Sequence, residues 1–225
     1  MFSWVDLGDG ESFDAPSRRE RMTRDQVLAR GVTERAVLDA LNEVPRHRFV
    51  PPALVVQAYE DHPVAIGHGQ TISQPYIVGY MLALVARPGM RALEIGTGCG
   101  YQAAVLSRLA TEVHTVEIVP ELAARAARRL DALGFKNVTV HVGDGAEGWK
   151  EAAPYDAIVV SCGAPRVPRA LVEQLAPGGR LICPIGDPST KQQLVLVEKD
   201  MTGRTSLRPL IAVRFVPLTG PSGAV

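Results

Sequence analysis

A glycine-rich turn between a predicted strand and a predicted helix constrains the fold of this chain most. Gly96, Gly98 and Gly100 directly follow the apolar segment 91–95, and a helical pattern occupies residues 102–109. This order is typical of the ligand loop at the carboxyl end of a strand in an open α/β sheet. Glu117 ends the next predicted strand, and such sheets place an acid for ribose hydroxyls about 20 residues beyond the loop.

The alternation of strands and helices continues along the chain. Pro120 suits the first position of a helix and Gly134 its end. Further strands are predicted at 113–118, 138–142, 157–160 and 180–183, and the segments 193–198 and 210–218 form two strands with no helix between them. We therefore expect a doubly wound, mostly parallel, seven-stranded Rossmann-like sheet. Its last two strands should form an antiparallel hairpin at one edge.

The chain of 225 residues is long enough for one compact domain with a small extension. Residues 1–20 are polar and predict an N-terminal arm. Residues 21–87 carry short helical patterns broken by prolines, and we interpret them as a helical, substrate-side region. Residues 88–225 hold the strand and helix alternation, and we expect them to form the cofactor-binding core with its C-terminal hairpin.

Composition and charge disfavour several classes of partner. Lys plus Arg and Asp plus Glu both number 24, whereas nucleic-acid-binding proteins usually carry a basic excess. No apolar stretch approaches the roughly 20 residues that span a bilayer, and the acidic N-terminus lacks the apolar run of a signal peptide. Cys99, Cys162 and Cys183 lie far apart without a Cys-x-x-Cys pair, which disfavours a metal site and favours a reducing cytoplasm. We expect a cytoplasmic protein without nucleic-acid, membrane or metal partners; the sequence does not determine its oligomeric state, and we favour a monomer.

The residues around the glycine turn discriminate between nucleotide-like ligands. A dinucleotide fingerprint requires a small residue where this sequence has Tyr101. S-adenosyl-L-methionine has no phosphate and needs no such anion site. The run "LEIGTGCGYQ", which includes Thr97, resembles the first motif of class I S-adenosylmethionine-dependent methyltransferases. Asp144 and Gly145 follow the third strand, where that class often places a polar residue beside the adenine, although Asp144 alone is equally typical of a turn.

Several segments together resemble one family. They are, in order, "VPRHRFVP", "GHGQTISQPYIV", "LEIGTGCGYQAAVL", "GDGAEGW", "APYDAIVVSCGAP", "LAPGGRLICPIG" and "AVRFVPLTG". Over residues 24–219 the chain is similar to the protein-L-isoaspartate O-methyltransferases, and "GQTISQP" is the most specific segment. The resemblance implies methyl transfer from S-adenosyl-L-methionine to the α-carboxylate of L-isoaspartyl residues in damaged proteins and peptides. The methyl ester then closes to a succinimide, and hydrolysis returns some normal aspartate.

The resemblance also implies roles for the residues of "QTISQP". This segment would lie over the sulfonium end of the cofactor, with Ser73 in the active site and Thr71, Ile72 and Gln74 on the cofactor side. Thr219 matches a cofactor-side threonine near the end of the family fold. The chemistry suits a short hydroxyl, because a carboxylate is already ionised at neutral pH and needs orientation rather than a general base. Taken alone, the hydroxyls of Thr71 and Ser73 would more often cap the following turn.

Three other interpretations fit parts of the sequence. A related methyltransferase that acts on an aspartate of one dedicated peptide would share the motifs. A nucleotide-dependent oxidoreductase would share the glycine turn, but Tyr101 and "GQTISQP" disfavour it. A non-catalytic cofactor-binding module is disfavoured by the intact Ser73, Glu117 and Asp144. The segment "SCGAP" and the tail "GPSGAV" depart from the usual family pattern.

Overall fold

The computed structural model describes residues 14–187 and 191–221. The α-helices are α1 (Ala15–Arg21), α2 (Arg35–Glu43), α3 (Pro75–Val85), α4 (Tyr101–Leu106), α5 (Pro120–Ala132) and α6 (Arg169–Gln174). The strands are β1 (Val64–Gly67), β2 (Gln70–Ile72), β3 (Met90–Ile95), β4 (Ala110–Glu117), β5 (Val138–Val142), β6 (Tyr155–Val160), β7 (Leu175–Gly186), β8 (Gln192–Lys199) and β9 (Thr205–Val213). Shorter helical turns occupy Met22–Val27, Leu28–Arg30, Arg46–Phe49, Pro52–Gln57, Gly145–Glu147 and Lys150–Ala152.

A seven-stranded sheet forms the centre of the fold, in the order β5-β4-β3-β6-β7-β8-β9. The pairs from β5 to β7 are parallel, whereas β8 is antiparallel to both β7 and β9. The predicted mostly parallel sheet with an antiparallel edge is confirmed. The strand order reverses between β3 and β6, and open α/β sheets bind ligands at the carboxyl ends of the strands at such a point.

The helices cover the sheet because their apolar sides are buried. In α5, Pro120 occupies the first turn, Leu122, Ala126 and Leu130 are buried, and Gly134 takes a left-handed φ of 83° just beyond the end. The four residues 157–160 of β6 are all buried, as expected for a central strand with both faces covered. Among the described residues, no helix is long and apolar enough to cross a bilayer.

The N-terminal region packs against α3. Met22, Val27 and Leu41 are buried in the same apolar cluster as the inner side of this helix. A Cβ atom at Gly79 of α3 would lie 2.7 Å from Val27 Cγ1, so a glycine allows this close approach. The predicted arm at residues 1–20 is helical from Ala15 onward, and residues 1–13 lie outside the described residues.

Two predicted elements end earlier than expected. The helix predicted at 102–109 ends at Leu106, where the Asn137 side chain donates to the carbonyls of Ser107 and Ala110 at the turn into β4. The last strand, predicted at 210–218, ends at Val213. Beyond it, the Val216 carbonyl accepts from the Gly163 amide, and the Leu218 amide donates to the Gly163 carbonyl, at 2.8 and 2.7 Å. The apolar run therefore leaves the sheet edge and crosses to the loop after β6.

Candidate active site

A cleft that is open to solvent lies at the carboxyl ends of β3, β4 and β6. Residues 70–73, which are strand β2 and the residue after it, line one part of it, and residues 216–219 line another. Nine of the predicted site residues meet here: Thr71, Ile72, Ser73, Gly96, Thr97, Gly98, Glu117, Gly145 and Thr219. Three predicted site residues, Gln74, Gly100 and Asp144, do not line the cleft.

The glycine turn needs glycine for both conformation and space. Gly96, Gly98 and Gly100 have φ values of 90°, 54° and 88°, which L-residues with side chains rarely adopt. A Cβ atom at Gly98 would also lie 3.2 Å from the Ile66 side chain. At Gly100 a Cβ atom would lie 3.2 Å from Leu130 of α5, so this glycine permits close helix packing behind the loop.

Glu117 is fixed at the end of β4 by two backbone amides. Its side chain is buried, with Oε2 accepting from the Gly98 amide at 2.8 Å and Oε1 accepting from the Val119 amide at 3.0 Å. A carboxylate offers about four acceptor positions, so two remain after these bonds are made. The carboxylate therefore both shapes the glycine turn and keeps capacity for hydroxyl groups in the cleft.

A second acid, Glu94, lies in the cleft and was absent from the residues selected by sequence. Its Oε2 accepts from the Thr115 hydroxyl at 2.7 Å, and the Thr115 oxygen lies 2.7 Å from that of Thr97. Its Oε1 is buried and has no hydrogen-bond partner among the described residues. Burial raises the pKa of Glu94 to about 8, against the opposing effects of the Thr115 hydroxyl and the Gln102 side chain. An acid in the middle of the apolar strand "ALEIG" was the available sequence signal.

The Ser73 hydroxyl is available to a ligand. Ser73 lies between β2, which pairs with β1 from Val64 to Gly67, and α3, which begins at Pro75. Gln74 is the N-cap of α3, and no side chain makes a capping hydrogen bond there. The hydroxyls of Thr71 and Ser73 therefore do not cap this helix. The backbone carbonyl of Ser73 accepts from Arg46 Nη2 at 2.8 Å, which fixes the segment from behind.

The three predicted residues outside the cleft have structural contacts. The Gln74 side chain donates to the Asp61 carbonyl and carboxylate at 3.1 and 2.8 Å. Asp144 Oδ1 accepts from the Ala146 amide at 2.9 Å and caps the turn Gly145–Glu147. Gly100, as described, packs on α5. The turn contact of Asp144 places it beside Gly145, which does line the cleft.

Two further polar residues of the cleft were missed by the sequence. Gln102 Nε2 donates to Ser161 Oγ at 2.7 Å, and both residues line the cleft. Ser161 begins the "SCGAP" segment just after β6, so its place at a strand end was the available signal. His62 and His68 do not line the cleft, and His62 instead bonds the Glu60 carboxylate and the Pro63 carbonyl. Among the described residues, no three His, Cys, Asp or Glu side chains are grouped to hold a metal.

Comparisons with known proteins agree with this architecture. The profile of the family described as Protein-L-isoaspartate(D-aspartate) O-methyltransferase (PCMT) matches residues 17–223. The Protein-L-isoaspartate O-methyltransferase of Picosynechococcus sp. is 54% identical over 205 residues, covering 91% of each chain. The enzyme of the same name from Gloeobacter violaceus is 52% identical over 199 residues, covering 88% of this chain and 97% of its own.

Two solved structures share the fold over most of the chain. A protein-L-isoaspartate O-methyltransferase structure is 33% identical with a TM-score of 0.82, covering 91% of this chain and 67% of its own. A Plasmodium falciparum protein assigned to the same enzyme class, in complex with S-adenosyl-L-homocysteine, is 25% identical with a TM-score of 0.77. That match covers 89% of this chain and 98% of the other. The chain belongs to the protein-L-isoaspartate(D-aspartate) O-methyltransferase family.

Proposed function

We propose that this protein transfers a methyl group from S-adenosyl-L-methionine to the α-carboxylate of L-isoaspartyl residues in damaged proteins and peptides, with Ser73 orienting that carboxylate. The reaction initiates repair, because the ester closes to a succinimide that hydrolyses partly to normal aspartate. One observation carries the assignment of Ser73: the residue lines the same cleft as the glycine turn and Glu117, and its hydroxyl makes no hydrogen bond within the described part of the chain. The family to which the chain belongs performs this reaction.

The cleft fits the cofactor by the chemistry of its donors and acceptors. The free capacity of the Glu117 carboxylate suits ribose hydroxyls, and the unpartnered Oε1 of Glu94 suits an ammonium group. Gly145 would border the adenine, with Asp144 holding its turn through the bond to the Ala146 amide, and the glycine turn would let the ligand approach the backbone. Thr71, Ile72 and Thr219 would border the remainder, and Gln74 would hold their segment through its bonds to Asp61. When bound, S-adenosyl-L-methionine supplies a methyl group already activated by its sulfonium.

The residues around the acceptor need to orient it rather than deprotonate it. An α-carboxylate has a pKa of about 3.5, so it is ionised at neutral pH. A hydroxyl such as that of Ser73 donates to one carboxylate oxygen and leaves the other free to attack. A neutral donor also withdraws less electron density from the nucleophile than a bound cation would. The placement of His62 and His68 outside the cleft agrees with a reaction that has no histidine base.

We further propose that residues 21–87 form the substrate side and residues 88–225 the cofactor side of the enzyme. Ser73 comes from the first region, whereas the glycine turn and Glu117 come from the second. Of the predicted arm, the described residues 14–20 are helical from Ala15 onward, and Ala15 packs into the apolar cluster of this body. Because the regions share one cleft and one apolar cluster, they would act as a single domain.

We also infer a cytoplasmic monomer that works without a nucleic-acid partner. Cys99, Cys162 and Cys183 are all unpaired and buried, as in proteins of reducing compartments. The formal net charge is zero. The large exposed apolar side chains among the described residues belong to separate segments: Leu28, Val56, Val142, Met201 and Leu207. Light scattering should give the mass of one chain, and twice that mass would contradict the monomer.

Labelled methyl transfer tests the proposed reaction. An isoaspartyl peptide and its aspartyl twin, identical in sequence, are each incubated with the protein and methyl-labelled S-adenosyl-L-methionine. The isoaspartyl peptide should receive base-labile label, and the twin should receive none above background. Equal labelling of both peptides, or of neither, would contradict the proposed specificity.

A further inference from the structure

Arg46 is a buried cation that takes no direct part in the proposed reaction. It lies in the helical turn Arg46–Phe49 after α2 and is 0% exposed, among the largest fully buried side chains. Among the described residues, its hydrogen bonds to the backbone go to two carbonyls, and the groups that act on its pKa are Tyr101, which also forms a side-chain hydrogen bond, Cys99 and Tyr59, with no carboxylate. A buried charge without a counterion is costly, so a specific reason is needed for its presence here.

The contacts of Arg46 join two sides of the cleft. Its Nε donates to the Ala58 carbonyl at 2.6 Å, and its Nη2 donates to the Ser73 carbonyl at 2.8 Å. The guanidinium carbon lies 4.8 Å from the centre of the Tyr101 ring, at the start of the helix that follows the glycine turn. Burial lowers the pKa of Arg46, yet a guanidinium remains protonated in proteins. One rigid group thus ties the Ser73 segment to the cofactor side.

The position of the Ser73 carbonyl determines the direction of the Ser73 side chain. Ser73 and Gln74 alone connect β2 to α3, so a small rotation there redirects the Ser73 side chain. The Gln74 side chain also fixes the segment, because it donates to Asp61, which pairs with Arg30. This hydrogen bond and this ion pair are exposed. An exposed ion pair contributes little fixation because water competes for its groups. The buried bond from Arg46 is therefore the stronger restraint.

We propose that Arg46 is a positioning residue for methyl transfer, because its bond to the Ser73 carbonyl fixes the direction of the Ser73 hydroxyl. This inference rests on the proposed role of Ser73. Arginine suits the task because its planar fork binds two carbonyls at once, whereas the single ammonium of lysine has no such fork. Arg46 never touches the acceptor, so its effect on turnover should pass entirely through Ser73.

A double-mutant cycle tests this dependence. Arg46→Lys and the neutral Arg46→Gln are each made alone and together with Ser73→Ala, and folding is checked by urea denaturation. The maximal rate of transfer to an isoaspartyl peptide is measured at saturating substrates, and cofactor affinity by calorimetry. In the presence of Ser73, each Arg46 variant should lose tenfold or more in rate with cofactor affinity within threefold. In the Ser73→Ala background the same changes should cost less than threefold, because no hydroxyl remains to be positioned.

Arg180 provides a matched control at the other end of α3. Its Nη1 donates to the Leu84 carbonyl at 3.0 Å, as Arg46 Nη2 does to the Ser73 carbonyl, and it pairs with Glu198; neither Arg180 nor Glu198 lines the cleft. Arg180→Lys should leave the rate within twofold in both backgrounds. The proposal would be overturned if the Arg46 variants lost the same factor in rate with and without Ser73, or if both folded variants kept the wild-type rate. In either case, methylation of the peptide by the wild type would still support the proposed reaction. Absence of wild-type methylation would overturn the reaction itself, and the Arg46 role with it.

Discussion

Some residues of the cleft have both a structural role and a binding role, and Glu117 is the clearest example. Its two oxygens accept from the Gly98 and Val119 amides, so the acid that suits ribose also holds the turn on which the cofactor would lie. Removal of the Glu117 carboxylate should therefore weaken cofactor binding both by loss of the ribose contact and by loss of the bonds that hold the glycine turn. Ser73 also has two roles, because its backbone carbonyl accepts from Arg46 and its hydroxyl is available to the acceptor.

Glu117→Ala should weaken S-adenosyl-L-methionine binding by about 1.5–3 kcal/mol, the scale of hydrogen bonds to a charged group. Glu112→Ala on the same strand is the control, because Glu112 pairs with Arg91 on the exposed side, away from the cleft. Calorimetry on both folded variants measures the effect. An affinity equal to that of Glu112→Ala would exclude Glu117 from the ribose site.

Glu94 should make the stability of the cofactor-free protein depend on pH. Its pKa is raised from 4.5 to about 8 by burial, so between these values the folded state holds a proton that the unfolded state has released. The stability that the folded state gains from this bound proton is therefore complete below pH 4.5 and is lost as the pH rises through about 8. The slope is at most about 1.4 kcal/mol per pH unit.

Urea unfolding of wild type and Glu94→Gln at several pH values isolates this contribution. The wild type should lose stability relative to Glu94→Gln as the pH rises from 5 to 8.5. Parallel curves for the two proteins would show that Glu94 is ionised in the folded state. The substitution retains the shape of the side chain, so differences in packing are small.

At the scale of elements, the turn after β5 depends on one glycine. A Cβ atom at Gly145 would clash with Ile95 Cγ2, whereas one at Gly143 would lie 3.7 Å from Val116, an ordinary van der Waals distance. Gly145→Ala should push the turn away from β3, with a cost of about 1–3 kcal/mol in stability and weaker cofactor binding. Gly143→Ala, two residues earlier, should change neither. Chemical denaturation and calorimetry of the pair test this, and equal behaviour of the two variants would contradict the packing described.

The elements also show how far sequence alone reaches. The glycine turn and the acid at Glu117 were predictable because strand, turn and helix follow each other locally. The end of β9 was not, because the apolar run after Val213 bonds to Gly163 rather than to its neighbour in the sheet. Glu94 and Arg46 were missed for the same reason: their importance lies in burial and unpartnered atoms, which depend on distant segments. Ser73 was found through family resemblance, since a lone serine two residues before a proline more often caps a turn.

At the scale of the whole molecule, cofactor binding should stabilise the fold, because residues from both halves of the chain line the cleft. S-adenosyl-L-methionine at 100 times its dissociation constant should add about 2.7 kcal/mol. For a chain of this size the melting temperature should then rise by about 5–10 °C. A nicotinamide dinucleotide should give no rise, because Tyr101 takes the place of the small residue that a pyrophosphate site requires. A rise with the dinucleotide alone would favour the oxidoreductase interpretation instead.

The most direct test of the account is the rate at which Ser73→Ala methylates an isoaspartyl peptide at saturating cofactor and peptide. The substitution removes one hydroxyl, so folding and cofactor affinity should remain near those of wild type. The rate should fall by about 10- to 100-fold, equivalent to about 1.4–2.7 kcal/mol of orientation, and Ser73→Cys should lie between the two. A Ser73→Ala rate equal to the wild-type rate would contradict the account and move the carboxylate-holding role to Thr71 or to backbone amides.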